Sequence, residues 1–188
     1  MFELKKNEKG FALIEFIIAL PLIILLLYGF GQTTMKTFET SNNHAADYEL
    51  EVEAQEVLTQ IVQDARTASS VTKFAHSNTI YSQNDTLIIK YHAIKYDAGK
   101  IIDVIDTRVY VVSDSFKLNA KRQNDNHYLN PITGGNTFGD TVIRKLKYSK
   151  PTDNVLYITL EMESLSTNQR INLSTAVYMP ACEEMKGF

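Results

Sequence analysis

The sequence of 188 residues predicts an α+β fold: one long N-terminal helix, apolar in its first half and amphipathic in its second, packed on an antiparallel β-sheet. Three observations point there. Seventeen of the twenty residues from Phe11 to Phe30 are apolar. Leu50, Ala54, Val57, Ile61, Ala65 and Ala68 then recur at spacings of 4, 3, 4, 4 and 3, one stripe of a helix. Beyond residue 70, β-branched and aromatic runs alternate with polar turns.

Composition narrows the function classes. With 19 Lys and Arg against 22 Asp and Glu, the formal charge is −3, which argues against a generally basic nucleic-acid binder. A single cysteine, Cys182, excludes an internal disulfide. Ten Tyr and nine Phe supply enough apolar surface to offset chain entropy, so an ordered domain is expected.

At about 1.5 Å per residue, the twenty residues from Phe11 span roughly 30 Å as a helix, the hydrocarbon thickness of a bilayer. Lys5, Lys6 and Lys9 precede the run, while Lys36 and Glu39 beyond it cancel. The basic flank predicts a cytoplasmic N-terminus in the cytoplasmic membrane, with the C-terminal domain outside it. A cleaved secretory signal would need small residues in an A-x-A arrangement after the run, and Gly29-Phe30-Gly31-Gln32 offers none. Pro21 removes one helical hydrogen bond and predicts a kink; Gly29 and Gly31 mark a second weak place. Within the run stands Glu15, where a carboxylate costs about 2.5–3.5 kcal/mol on insertion scales and so calls for a partner or a function.

Lys9-Gly10-Phe11-Ala12-Leu13-Ile14-Glu15-Phe16 resembles the N-terminal signal of type IV pilins and pseudopilins. The resemblance implies cleavage by a prepilin peptidase between Gly10 and Phe11 and methylation of the new terminus at Phe11. It also implies that Glu15, fifth in the mature chain, neutralises the terminal ammonium of a neighbouring subunit. Such pairing removes most of the penalty of burying either charge alone. Residues 1–10 would then be a leader, 11–31 the transmembrane and filament-core helix, 32–70 its amphipathic continuation and 71–188 the β domain. Loss of the leader leaves 178 residues with a formal side-chain charge of −4, since three lysines and two glutamates go with it.

Along the second half of the helix, Leu58 and Val62 broaden the apolar stripe. Glu49, Glu51, Glu53, Glu56, Gln60 and Asp64 are expected off it, facing water or a partner, and Arg66 suits the negative end of the helix dipole. The helix is expected to be interrupted or weakened around Asn42-Asn43, and Ser69 to Thr72 reads as the exit into β structure. Strands are predicted over 86–91, 108–112, 142–148, 155–162 and 171–179. Leu156, Ile158, Leu160 and Met162 share one face of the fourth; Ile171, Leu173, Thr175, Val177 and Met179 share one face of the fifth. Pro151 to Asn154 and Ser164 to Asn168 read as turns, and the polar stretch from Lys121 to Asp140 as a long loop.

Residues 57–68 and 171–178 resemble the late helix and closing strand of W-type minor pilins and J-type minor pseudopilins. Pro21 and Gly29 following Glu15-Phe16 are similar instead to TadE-like pseudopilins, which leaves the subfamily open. The resemblance implies a pilin-like fold and a structural subunit. Its partners would be a prepilin peptidase, other pilin or pseudopilin subunits, an inner-membrane assembly platform and membrane lipid. Pili, protein secretion and DNA uptake all remain open. The rival reading is a single-pass anchor carrying an uncleaved extracytoplasmic binding or sensor domain.

No catalytic constellation is recognised, so the expectation is a non-enzyme with no cofactor and no metal. His44, His76, His92 and His127 stand apart without metal-ligand spacing. Residues 133–140 contain glycines but lack the strand–loop–helix frame of a phosphate loop. Asn124, Asp125, Asn126 and Asp140 lack the ordered spacing of a calcium loop. Arg144, Lys145, Lys147 and Lys150 read as a solvated strand face, and nucleic-acid binding is not expected there. Cys182 reads as a buried or free thiol, with intermolecular pairing open.

Overall fold

A computed structural model describes residues 8–75, 84–97, 99–113, 116–122, 130–133 and 140–188, with side chains described from Ile14 onward. The chain divides into two compact units, one ending at His44 and the other covering Ala45–Phe188. Secondary structure begins with helix α1, Glu8–Arg66, of 59 residues. It runs through Pro21 and through Asn42-Asn43 without an interruption. In the first unit the side chains described are almost all exposed, those of the apolar run from Ile14 to Phe30 included.

Within the second unit the predicted stripe is the buried one. Leu50, Ala54, Val57, Leu58, Ile61 and Ala65 are buried against strand residues of both sheets. α1 ends where Thr67 folds back, its amide and hydroxyl both donating to the Asp64 carbonyl. That satisfies one of the carbonyls orphaned at a helix C-terminus.

Nine strands follow among the described residues: β1 (Ala68–Ala75), β2 (Asp85–Asp97), β3 (Lys100–Val112), β4 (Leu118–Arg122), β5 (Asn130–Pro131), β6 (Thr141–Thr152), β7 (Val155–Ser164), β8 (Arg170–Tyr178) and β9 (Glu184–Lys186). They form two sheets rather than the single one expected. The larger has the order β5-β4-β3-β2-β1-β9, the smaller β6-β7-β8. Among the described strands all ladders are antiparallel except that of β9 with β1, in which Val71 faces Met185; the isolated bridge of Asn84 to Leu146 is also parallel. The result is an α+β layout of a long helix on antiparallel-rich sheets.

Alternation along β7 matches the prediction: Leu156, Ile158, Leu160 and Met162 are fully buried, while Tyr157 is exposed. Each faces its β8 counterpart directly, Leu160 opposite Leu173 and Leu156 opposite Val177. The β6–β7 hairpin turns at Asp153-Asn154, where Asn154 takes φ +59°, a conformation its short polar side chain tolerates. Part of the stretch expected to be a loop is strand: Lys121-Arg122 end β4 and Asn130-Pro131 pair with it.

Side chains at the start of β2 join the two sheets. Asn84 bridges to Leu146 and accepts its amide at 2.9 Å; Asp85 accepts the Tyr148 amide at 3.2 Å. Lys73 of β1 reaches the Tyr148 carbonyl at 3.2 Å. Both acidic and amide groups are buried, and their bonds replace the water they lose.

Candidate functional site

Two regions carry polar groups whose placement matters, one in each unit. In the first, Glu15 is an exposed carboxylate among exposed Ile14, Phe16, Ile17 and Ile18. It has no hydrogen-bond or ion-pair partner among the described residues. The backbone of Gly10 and Phe11 belongs to α1, and their surroundings lie outside the described residues. Among the described residues one helix is long and apolar enough to cross a membrane, with a mean hydropathy of 2.3 over an 18-residue window, none of which is buried. The chain thus carries a helix compatible with a single-pass membrane anchor.

Where the apolar run ends, the helix satisfies its own polar side chains. Thr33, Thr34 and Thr37 donate to the carbonyls four residues earlier at 2.8–2.9 Å, and Gln32 donates to the Tyr28 hydroxyl at 2.9 Å. Hydroxyls bonded in this way need no water and tolerate a packed or lipid surrounding.

In the second unit, three acidic side chains of α1 tie the helix to strands and turns. Asp47 accepts from the Thr167 hydroxyl at 2.7 Å, and Glu53, buried, accepts from the Thr141 hydroxyl. Asp64 accepts from both the Arg108 guanidinium and the Tyr110 hydroxyl of β3 through one carboxylate oxygen. Glu53 and Asp64 were expected to face water or a partner, and the structure corrects this. The signal was present in spacing: positions 50, 53, 57, 61, 64 and 68 follow the same 3–4 rhythm as the stripe. A carboxylate at such a position is buried only because a donor on a strand meets it.

These contacts set the electrostatics. Burial, and then the bond to Asp64, push the Tyr110 phenol well above its ordinary range. For Arg108 burial disfavours the charge, but the bonds to Asp64 and Tyr110 outweigh it, so the guanidinium is held more firmly protonated. Tyr148 is raised chiefly by burial, and its hydroxyl has no hydrogen-bond partner among the described residues. Glu163 is held below the usual carboxylate range, first by the Arg144 guanidinium at 2.6 Å and further by Arg170 at 3.2 Å.

The basic cluster is a partly exposed face whose cations are largely ion-paired. Arg144 pairs with Glu163, Lys147 with Asp85 at 3.4 Å and Lys150 with Asp153 at 2.6 Å, and Lys145 and Lys147 are half-buried. Asp140 pairs with Lys117; Asn124, Asp125 and Asn126 lie outside the described residues, as do His76, His127 and residues 134–139. His44 is exposed near the end of the first unit, and His92 pairs with Asp103 at 3.0 Å. Among the described residues no group of three or more His, Cys, Asp or Glu side chains converges as metal ligands do. Cys182 is free and buried, with burial raising its thiol.

Chemically, this arrangement fastens a helix to a β domain and leaves an apolar helix uncovered. Comparison with protein-family models, with curated proteins and with solved structures yields no match to this chain.

Proposed function

We propose that this chain is a structural subunit, a minor pilin or pseudopilin, of a type IV filament system. It is inserted in the cytoplasmic membrane with its N-terminus cytoplasmic and cleaved by a prepilin peptidase after Gly10. Methylation at Phe11 follows, and the subunit is assembled through its N-terminal helix. The observation that carries this proposal is the spacing of Gly10, Phe11 and Glu15 at the head of an apolar, uncovered helix.

Glu15 is the discriminating group. In a plain membrane anchor, a carboxylate at that depth is only a cost, and its removal helps insertion. In a bundle of identical helices it meets the ammonium of a neighbour's Phe11, and each charge relieves the other. The polar anchors Asp47, Glu53 and Asp64 support the same role, because a subunit drawn into a filament by its helix needs its outer domain firmly attached to that helix. Replacement of Glu15 by Ala tests the proposal. The Glu15→Ala chain should insert in the membrane at least as well as wild type and enter filaments poorly. Normal incorporation would refute the role given to the carboxylate.

A further inference from the structure

The two edges of the sheet β6-β7-β8 differ in how they are protected. Along β6, amides pointing away from β7 are engaged: Ile143 donates to the Phe116 carbonyl at 2.8 Å, Leu146 to Asn84 and Tyr148 to Asp85. That strand also carries three lysines, Pro151 and two register shifts. These are the devices by which edge strands avoid pairing with another chain. Strand β8 has none of them. Its nine residues pair with β7 without a register shift, contain no proline or lysine, and hold a single charge, Arg170, at the start. Among the described residues, nothing bonds the backbone of β8 on the side away from β7.

Burial points the same way. On the inner face β7 is fully buried, whereas Ile171 and Leu173, directly opposite Met162 and Leu160, remain half exposed. One more strand beside β8 would cover them.

We propose that the free edge of β8 pairs antiparallel with the β8 edge of a second copy of this chain, centred on Ser174. The pairing joins two three-stranded sheets into one of six strands. Self-complementarity of the strand selects a second copy as the occupant. Folded against itself about Ser174, β8 sets Ile171 opposite Val177 and Leu173 opposite Thr175 on the inner face. Its one charge, Arg170, falls opposite Tyr178, which is 63% exposed, and a guanidinium beside an aromatic ring is favourable. Parallel pairing in register would instead stack Arg170 on Arg170. The association depends neither on leader cleavage nor on Glu15, so it stands or falls apart from the filament proposal.

Cysteine cross-linking of the full-length protein in its membrane tests the pairing, with the wild-type chain and its buried Cys182 as the blank. Residues opposite each other across antiparallel strands have Cβ atoms about 4.5–5.5 Å apart, within reach of a short thiol-specific linker. Ser174→Cys should link to itself at roughly tenfold the blank, because only the central residue meets its own copy. Asn172→Cys and Ala176→Cys should each stay near the blank alone and give a mixed dimer when expressed together. Ser174→Lys, which opposes two ammonium groups on an exposed position, should lower the dimeric fraction about fivefold with an unchanged circular dichroism spectrum. No link from Ser174→Cys, equal yields at all three positions, or linkage of Ser174→Cys to a different polypeptide overturns the proposal.

Discussion

The carboxylate of Asp64, in the last turn of α1, holds the guanidinium of Arg108 in the middle of β3, and Tyr110 donates to the same oxygen. These groups are 44 and 46 residues apart in the chain, so the bonds fasten the end of the helix to the centre of the larger sheet. Asp64→Ala would leave a largely buried cation and a hydroxyl without their acceptor, at a cost of about 2–4 kcal/mol. Asp64→Asn keeps an acceptor and should cost about 1–2 kcal/mol. Urea unfolding followed by circular dichroism measures both, and a loss under about 0.5 kcal/mol for Asp64→Ala would show that water already satisfies the trio.

Tyr148 offers the opposite case. Its hydroxyl is buried with no hydrogen-bond partner among the described residues, so folding removes it from water without compensation. Tyr148→Phe should therefore be neutral or stabilising by about 0.5–1 kcal/mol at pH 7. With Tyr110 it should also contribute to alkaline sensitivity. Both phenols are raised in the folded state, so their contribution is complete below the ordinary value of 10.0 and is lost as pH climbs above it. Alkaline titration should show unfolding that begins above about pH 10 and moves upward in Tyr148→Phe.

At the C-terminus, Gly187 adopts φ +80° against β1, and a Cβ there would lie 2.1 Å from the Lys73 carbonyl oxygen. Gly187→Ala must displace the three-residue strand β9, and with it the packing of Phe188 under the Lys73 ammonium at 5.3 Å. A loss of about 1–3 kcal/mol is expected from the backbone strain and the clash. Cys182 is a built-in reporter, since its sulfur donates to the Glu184 carbonyl and the side chain is 4% exposed. Thiol labelling of Gly187→Ala should run at least about tenfold faster than in wild type, as the protecting strand opens more often.

Acid stability should depend on Glu163. Arg144 and Arg170 hold its carboxyl below the ordinary value of 4.5, so the folded state binds a proton less readily than the unfolded chain. The stabilisation is complete above that ordinary value and disappears as pH falls through the lowered native one. Unfolding curves between pH 6 and 2 should show stability declining below about pH 4.5 and a shallower decline in Glu163→Gln.

Much of the fold was legible because its elements are locally periodic. The stripe from Leu50 to Ala65 and the alternation from Leu156 to Met162 are properties of contiguous residues, and both are buried as read. What was not legible depends on distant partners. Asp64 and Glu53 look like solvent residues until Arg108, Tyr110 and Thr141 are brought beside them by strand order. The arrangement of the strands in two sheets, linked by Asn84 and Asp85 accepting β6 amides, is likewise a matter of long-range pairing. Strand β9 is three residues long, too short for any periodicity to show. The N-terminal motif is the reverse: plain in sequence at Gly10, Phe11 and Glu15, but acting on groups outside this chain, so one chain's fold carries little trace of it.

Intact-mass analysis of the protein recovered from its native membrane bears most directly on the central proposal. We expect a chain of 178 residues that begins at Phe11 and carries one methyl group on its terminal amine. A chain still beginning at Met1, or one cut near residue 31, would contradict it.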